Sequence, residues 1–172
     1  MLDKKVEKAL NEQINKEFFS AYLYLSMAAY FEEMNLKGFA NWMHIQYQEE
    51  IFHGMKIFNF ISNRDGKVVL TAIDEPAHTW KSPLEVFEAS LEHEKKVTGW
   101  INDLVKHSHE LKDYATASFL QWYVDEQVEE ESSVTEIIQK LKLIGSDKSA
   151  LIFLDAELGK RQFIAPATTA VK

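Results

Sequence analysis

Residues 46–58, QYQEEIFHGMKIF, place Glu50 and His53 one turn apart on the apolar face of an amphipathic helix. Three other long stretches have the same helical periodicity, and polar side chains interrupt the apolar face of each near mid-length. The interrupting residues are Glu17 in the first stretch, Glu94 in the third, and Gln127 with Glu130 in the fourth. Burying an unpaired carboxylate costs several kcal/mol. Four helices that each direct a carboxylate inward therefore indicate a shared buried cation, unless some of these faces are exposed to solvent.

The composition is that of one acidic globular domain. The chain has 172 residues, of which 46% are hydrophobic, and a net charge of −8. The acidic balance argues against nucleic acid and anionic membranes as partners. The absence of Cys excludes disulfides and iron–sulfur ligation. We expect one domain over residues 1–164 and a flexible tail over 165–172, with no signal peptide, no membrane span and, by default, a cytoplasmic location.

Cap and turn residues divide the chain into four long helices and a short fifth one. Helix starts are predicted at Asp3, Ser82-Pro83 and Asp113, helix ends near Asn35, Asp65-Gly66 and Gly145, and a fifth start at Ser146 or Asp147. The connector over residues 67–81 could extend about 50 Å, which exceeds the roughly 40 Å length of the second helix. It can therefore return along the bundle, so that the second and third helices are parallel. The predicted fold is all-α, a four-helix up-down-down-up bundle with one long crossover.

This topology brings the inward-facing polar residues to one height. At a helical rise of about 1.5 Å per residue, all six lie roughly 17 to 27 Å from the end where the first helix turns into the second. Carboxylates with a single imidazole suit iron, manganese or zinc rather than copper. Four carboxylates would balance the charge of two divalent cations that share a bridging ligand. The sequence therefore predicts a two-metal site in mid-bundle.

A second acidic cluster borders this layer. Glu49, Glu126 and Glu129 lie beside Glu50 and Glu130, on the side away from the bundle axis. They could hold a further metal ion or could form a solvated acidic face, and spacing alone does not decide between the two.

Tyr24 lies on the apolar face of the first helix, two turns after Glu17. A buried Tyr needs a hydrogen-bond partner, which could be a ligand carboxylate or could be backbone or water. Five histidines lie off the apolar faces or in loops and are predicted to be surface residues: His44, His78, His93, His107 and His109. Trp122 is predicted to be a packing residue.

Several segments together resemble the bacterial and archaeal non-haem ferritins, over essentially the whole chain to about residue 164. They are NKE at residues 15–17, AYLYLSM at 21–27, KGFANW at 37–42, QEEIFHGMK at 48–56 and WYVDEQVEEE at 122–131. The resemblance implies an iron-storage ferroxidase that oxidises Fe²⁺ with O₂ or peroxide. It also implies a hollow homo-oligomeric shell, of 24 subunits, that stores ferric oxyhydroxide.

The resemblance also implies residue roles. The first iron site corresponds to Glu17, Glu50 and His53, with Glu50 bridging, and the second to Glu94 and Glu130, with Gln127 as a polar neighbour. An additional iron site corresponds to Glu49, Glu126 and Glu129, sharing Glu130, and Tyr24 matches a tyrosine that supports the ligands.

Two departures from related families are informative. Bacterioferritins have a haem-ligating Met where Ile51 stands, so no haem is expected. The general di-iron pattern has a second Glu-x-x-His on the fourth helix, where this chain has Gln127-x-x-Glu130. Two alternatives remain at this point: a dimeric di-metal oxidase or redox protein that stores no iron, and a helical bundle without metal.

Overall fold

The computed structural model, which describes residues 2–164, contains four long helices and a short fifth one. They are α1 (Lys4–Glu33), α2 (Lys37–Asn63), α3 (Pro83–Glu110), α4 (Tyr114–Ile144) and α5 (Lys148–Leu158). The all-α prediction is confirmed. No helix among the described residues is long and apolar enough to cross a membrane. The tail predicted for residues 165–172 lies outside the described residues.

Local capping residues start most of these helices where the sequence predicts. The side chains of Asp3, Ser82 and Asp113 each accept a hydrogen bond from a backbone N–H in the first turn of α1, α3 and α4. Asp147, rather than Ser146, caps α5. The side chain of Glu85 does not close a reciprocal capping box on Ser82 but accepts from the backbone N–H of Lys81.

The start of α2 is capped by another helix, because its own N-cap residue, Leu36, makes no side-chain capping bond. Instead, Oδ1 of Asp155 in α5 accepts from the backbone N–H groups of Gly38 and Phe39, at 2.8 and 3.0 Å. Gly38 allows this close approach, since a Cβ there would lie 1.6 Å from the Asp155 carbonyl oxygen. The fifth helix is therefore docked on the α1–α2 end of the bundle.

The end of α2 differs from the prediction in one detail. Gly66 was expected to provide the helix-ending turn, but Asp65 is the residue with positive φ, at 54°. The small size of Gly66 is used for packing instead, because a Cβ at this position would lie 2.8 Å from Cγ2 of Ile61.

The long crossover runs beside α1 in the same direction as that helix. Side chains of α1 form hydrogen bonds with the backbone of the crossover, and successive residues of α1 contact successive residues of the crossover. The pairs are Asn11 with Lys67 and Val69, Asn15 with Ala72, and Ser26 with Ala77. The Trp80 ring then contacts Tyr30 near the end of α1, with ring centres 5.5 Å apart. Because α3 begins at the same end of the bundle as α2, the two are parallel, and the up-down-down-up topology is confirmed.

Two apolar clusters fill the bundle, one towards each end. One includes Met27, Phe31, Phe39 and Phe87, and the other includes Leu10, Ile14, Ile57 and Ile101. The buried polar layer lies between them, so its side chains are shielded from solvent along the bundle axis.

Candidate metal centre

The first group of potential ligands joins α1 to α2. Glu17, Glu50 and His53 are each at most 3% exposed, and one ligand atom from each lies within 4.8 Å of the others. Nδ1 of His53 is 3.4 Å from Oε2 of Glu50 and 4.0 Å from Oε2 of Glu17. Oε2 of Glu50 is buried and makes no hydrogen bond to any described residue. Buried carboxylate oxygens are normally paired, so this atom is suited to a cation.

Glu94 of α3 enters the layer held by hydrogen bonds from two neighbours, Tyr24 and Gln127. The Tyr24 hydroxyl donates to Oε1 of Glu94 and lies 2.9 Å from Oγ of Ser90. Nε2 of Gln127 lies 3.2 Å from both Oε2 and the backbone oxygen of Glu94. Of the two alternatives for Tyr24, the structure therefore shows the hydrogen bond to a carboxylate.

Glu130 of α4 is the fourth carboxylate of the layer, and it contacts α2. Nε2 of Gln46 in α2 donates to Oε2 of Glu130 at 2.7 Å. Glu130 also belongs to a second group with potential ligand geometry, together with His53 and Glu126. In this group Nε2 of His53 lies 3.9 Å from Oε1 of Glu126. The two ring nitrogens of His53 thus face different carboxylates, and this imidazole lies between the two groups.

Burial makes the carboxyl groups of the layer weak acids. It is the main cause that raises the pKa of Glu17 to about 7 and the pKa of Glu50 and Glu130 well above the usual range. The negative charge of Glu94 adds to the shift for all three. Burial also raises the pKa of Glu94, although hydrogen bonds from Tyr24 and Gln127 oppose this. In the absence of a cation, burial therefore favours the protonated forms of these carboxyl groups.

The imidazole behaves in the opposite sense. Burial, and then the charge of Lys56, lowers the pKa of His53 to about 3, so the ring is neutral at neutral pH and can donate a lone pair to a metal. The Tyr123 hydroxyl donates to the backbone oxygen of His53 at 2.7 Å, and the Trp122 ring packs edge-on against the imidazole at 5.4 Å. These two aromatic residues of α4 fix the position of the ligand-bearing turn of α2. Trp122 is thus a packing residue, as predicted.

The outer acidic cluster is less buried than the layer. Glu49 and Glu126 are partly buried, whereas Glu129 is exposed, and neither Glu49 nor Glu129 belongs to the two groups formed by the described residues. Burial raises the pKa of Glu49 to about 7, with added effects from the charges of Glu126 and Glu129 and an opposing effect from Arg161. Burial and the charge of Glu129 also raise the pKa of Glu126. The charge of Glu129 thus acts on both Glu49 and Glu126, and Arg161 forms an ion pair with Glu49 at 2.8 Å.

The prediction that the remaining histidines lie at the surface is wrong for His93. This side chain is only 6% exposed, its Nε2 lies 2.7 Å from Oγ of Ser20, and it packs against Phe19 and Trp100. The reason is that α3 buries a face wider than the predicted apolar stripe, and the contact with Ser20 of α1 satisfies a ring nitrogen of His93 there. His44 is partly buried, while His78, His107 and His109 are exposed.

Sequence reasoning assigned no role to three further residues that hold the ligands. Gln13 is buried and donates to Oε1 of Glu17 at 2.8 Å. Gln46 donates a hydrogen bond to Glu130 and accepts one from Arg161, which also donates to Glu49. A signal for the two glutamines was available, since each lies four residues before a ligand candidate on the same helical face. No local pattern indicated Arg161, which arrives from beyond α5.

Known proteins resemble this chain over most of its length. The family model for ferritin-like domains matches residues 7–144. The bacterial non-haem ferritin of Staphylococcus aureus is 44% identical over 163 residues, which cover 95% of this chain and 98% of the relative. The chain belongs to the ferritin family.

Solved ferritin structures agree with this assignment. An open pore ferritin from the hyperthermophilic archaeon Archaeoglobus fulgidus matches with a TM-score of 0.93 at 56% identity, covering 94% of this chain and 100% of that one. An engineered closed form of that ferritin gives a TM-score of 0.94 at 55% identity, covering 95% and 100%. In the present chain, the two potential metal-binding groups lie entirely within residues 7–144, which the family model matches.

Proposed function

We propose that this ferritin is an iron-storage ferroxidase with a two-iron centre in the bundle. Glu17, Glu50 and His53 would bind one Fe²⁺ ion, Glu94 and Glu130 would bind the other, and Glu50 would bridge them. The observation that carries the proposal is Oε2 of Glu50, a buried carboxylate oxygen that no described residue hydrogen-bonds and that lies 3.4 Å from Nδ1 of His53. A bridging position between two cations would satisfy this oxygen.

The proposed reaction takes one electron from each of the two ions. With O₂ as oxidant the balance is 2 Fe²⁺ + O₂ + 2 H⁺ → 2 Fe³⁺ + H₂O₂, and with peroxide it is 2 Fe²⁺ + H₂O₂ + 2 H⁺ → 2 Fe³⁺ + 2 H₂O. Each Fe³⁺ then hydrolyses to the stored mineral, Fe³⁺ + 2 H₂O → FeO(OH) + 3 H⁺. The protein would supply oxygen-rich ligands, which favour the higher charge of Fe³⁺. Tyr24 and Gln127 would hold Glu94 in position through their hydrogen bonds.

An additional iron site at Glu49, Glu126 and Glu129, sharing Glu130, is part of the same proposal. Its support is the charge of Glu129, which contributes to the raised pKa of Glu49 and of Glu126, and the position of Glu126 in a group with Glu130 and His53. Haem is not part of the proposal, because Ile51 stands where a haem-ligating Met would be needed.

The proposed assembly is a hollow homo-oligomeric shell of 24 subunits located in the cytoplasm, with iron and O₂ or peroxide as small-molecule partners. Large apolar side chains near the α4–α5 corner support self-association, since Leu143 is 88% exposed, Ile152 65% and Phe153 79%. Size-exclusion chromatography with light scattering tests the assembly. A particle of several hundred kDa is expected, and a dimer would contradict it.

Stopped-flow oxidation of Fe²⁺ by the Glu50→Ala variant tests the catalytic proposal. Loss of the bridging carboxylate should abolish the fast phase while the particle still assembles, because removal of a buried carboxylate also removes repulsion in the metal-free bundle. Glu12→Ala is the matched control, an exposed carboxylate on α1 that should leave the rate unchanged. Oxidation at the wild-type rate in the Glu50→Ala protein would rule out the two-iron assignment.

A further inference from the structure

Arg161 lies three residues beyond α5, and its guanidinium enters the outer acidic cluster. Nη2 donates to Oε2 of Glu49 at 2.8 Å, and Nη1 donates to Oε1 of Gln46. The guanidinium carbon lies 4.7 Å from the centre of the Trp42 ring, within the range of a cation–π contact. The side chains of Arg161 and Glu49 are only 25% and 20% exposed, so this ion pair is partly shielded from solvent.

The contact with Gln46 connects Arg161 to the metal centre. A guanidinium can only donate hydrogen bonds, so it fixes the oxygen of the Gln46 amide towards itself. The NH₂ group of that amide then faces the opposite way and donates to Oε2 of Glu130 at 2.7 Å. Arg161 therefore determines which way the amide that touches Glu130 is turned.

The backbone near Arg161 is held independently of its side chain. Nδ2 of Asn41 donates to the backbone oxygens of Arg161 and Leu158, at 3.0 and 3.3 Å. The guanidinium can therefore leave Glu49 by rotation of its own side chain while the segment stays anchored on α2.

We propose that Arg161 is a resident cation of the outer carboxylate cluster, which an incoming divalent metal must displace from Glu49. The inference rests on the proposed function, because it assigns a regulator to the additional iron site. Arg161 and a metal ion compete for the same carboxylate oxygen of Glu49, so the arginine weakens metal binding at the outer site. Its departure also frees the Gln46 amide, and occupation of the outer site is thereby transmitted to Glu130.

Calorimetric titration of the metal-free protein with Zn²⁺ tests the proposal. Arg161→Gln removes the competing charge, and Arg161→Met does so while keeping an unbranched apolar stem to pack over Trp42. Both variants should bind Zn²⁺ about tenfold more tightly in the weaker class of sites. The tighter class should change less, because Arg161 reaches Glu130 only through the Gln46 amide. Arg161→Lys keeps the charge and should stay close to wild type.

The chain contains one other arginine, which provides a matched control. Arg64 pairs with Asp113 at 3.2 Å, at the other end of α2, and Arg64→Gln should leave Zn²⁺ binding unchanged. Glu49→Gln should weaken the outer class, and Arg161→Gln added to it should give no further gain, because the group for which the two cations compete is gone.

Two kinds of result overturn the inference, and they can be told apart. Unchanged or weaker outer binding in Arg161→Gln and Arg161→Met, with the tighter class intact, would show that Arg161 only anchors the segment after α5. The proposed function would then still stand. If wild-type protein binds no Zn²⁺ at all, the proposed metal centre and this inference both fail.

Discussion

Removing the charge of Glu17 should make the metal-free protein more stable at alkaline pH but not at acid pH. Burial raises the pKa of Glu17 from 4.5 to about 7. A carboxyl group with a raised pKa in the folded state stabilises the fold fully below pH 4.5, and this contribution is lost as pH rises through 7. At 1.36 kcal/mol per pKa unit, the loss between pH 4.5 and 8 is about 3 kcal/mol. Glu17→Gln keeps the shape of the side chain and should abolish this loss.

A difference between two proteins is needed because other groups titrate with the opposite sign. Burial lowers the pKa of His53 to about 3 and that of His93 to about 4. Below pH 6.5 these imidazoles therefore take up protons when the protein unfolds, and their contribution to stability rises with pH. The histidine effects partly mask the carboxylate effect in the wild-type curve. They cancel when the Glu17→Gln curve is subtracted from it.

Guanidinium unfolding at pH 5 and pH 8, with chelator and at one protein concentration, measures this difference. The gain in unfolding free energy caused by Glu17→Gln should be about 2.5 kcal/mol larger at pH 8 than at pH 5. Glu12→Gln, on an exposed position of the same helix, should show no such pH dependence. An equal effect of Glu17→Gln at both pH values would refute the claim that burial of this carboxylate destabilises the metal-free fold.

Three further predictions concern metal binding and docking of the fifth helix. Saturating Zn²⁺ at neutral pH should raise the melting temperature of the wild-type protein more than that of Glu50→Gln, because the ion binds only the folded bundle, and identical shifts would count against Glu50 as a ligand. Glu129→Ala should change the number of Fe²⁺ ions oxidised per O₂ in an oxygen-electrode assay while the first fast phase survives, whereas an unchanged ratio would make Glu129 a surface charge only. Gly38→Ala should lower the unfolding free energy by about 2 kcal/mol, because its Cβ would overlap the Asp155 carbonyl oxygen, and proteolysis should become faster after α5.

The helices and the height of the polar layer were predictable because both depend on local rules. Caps such as Asp3 and Asp113 are read from single residues, and the axial position of a side chain follows from a constant rise per residue. The crossover could be placed by length alone, since an extended connector of that size can span a helix as long as α2. The coarse arrangement of the candidate centre was therefore contained in the spacing of Glu17, Glu50 and Glu94.

The residues that surround the ligands were not predictable in the same way. A helical wheel places His93 off the apolar stripe, because a wheel does not show which polar groups of a neighbouring helix can pair with a side chain, and His93 is buried against Ser20 of α1. Asp155 and Arg161 act on α2 from more than a hundred positions away in sequence, after a turn whose direction depends on tertiary packing. For Glu129, spacing could not decide between a ligand and a solvated charge, because both lie on the outer side of a helix. Glu129 is exposed in the structure, and the Glu129→Ala experiment distinguishes the two.

The lack of a second imidazole, since Glu130 stands in the His position of the Glu-x-x-His pattern, has a consequence for how tightly the centre can hold a metal. A neutral imidazole such as His53 binds a metal without releasing a proton at neutral pH, because its pKa is far below 7. Burial instead favours the protonated forms of Glu50 and Glu130 by raising their pKa values, so a metal that binds these groups competes with protons. Protons therefore compete with the metal more strongly at a centre with four carboxylates and one imidazole than at a centre with two imidazoles. We expect metal binding to weaken steeply as pH falls, which suits an ion that passes through the centre better than one that stays there.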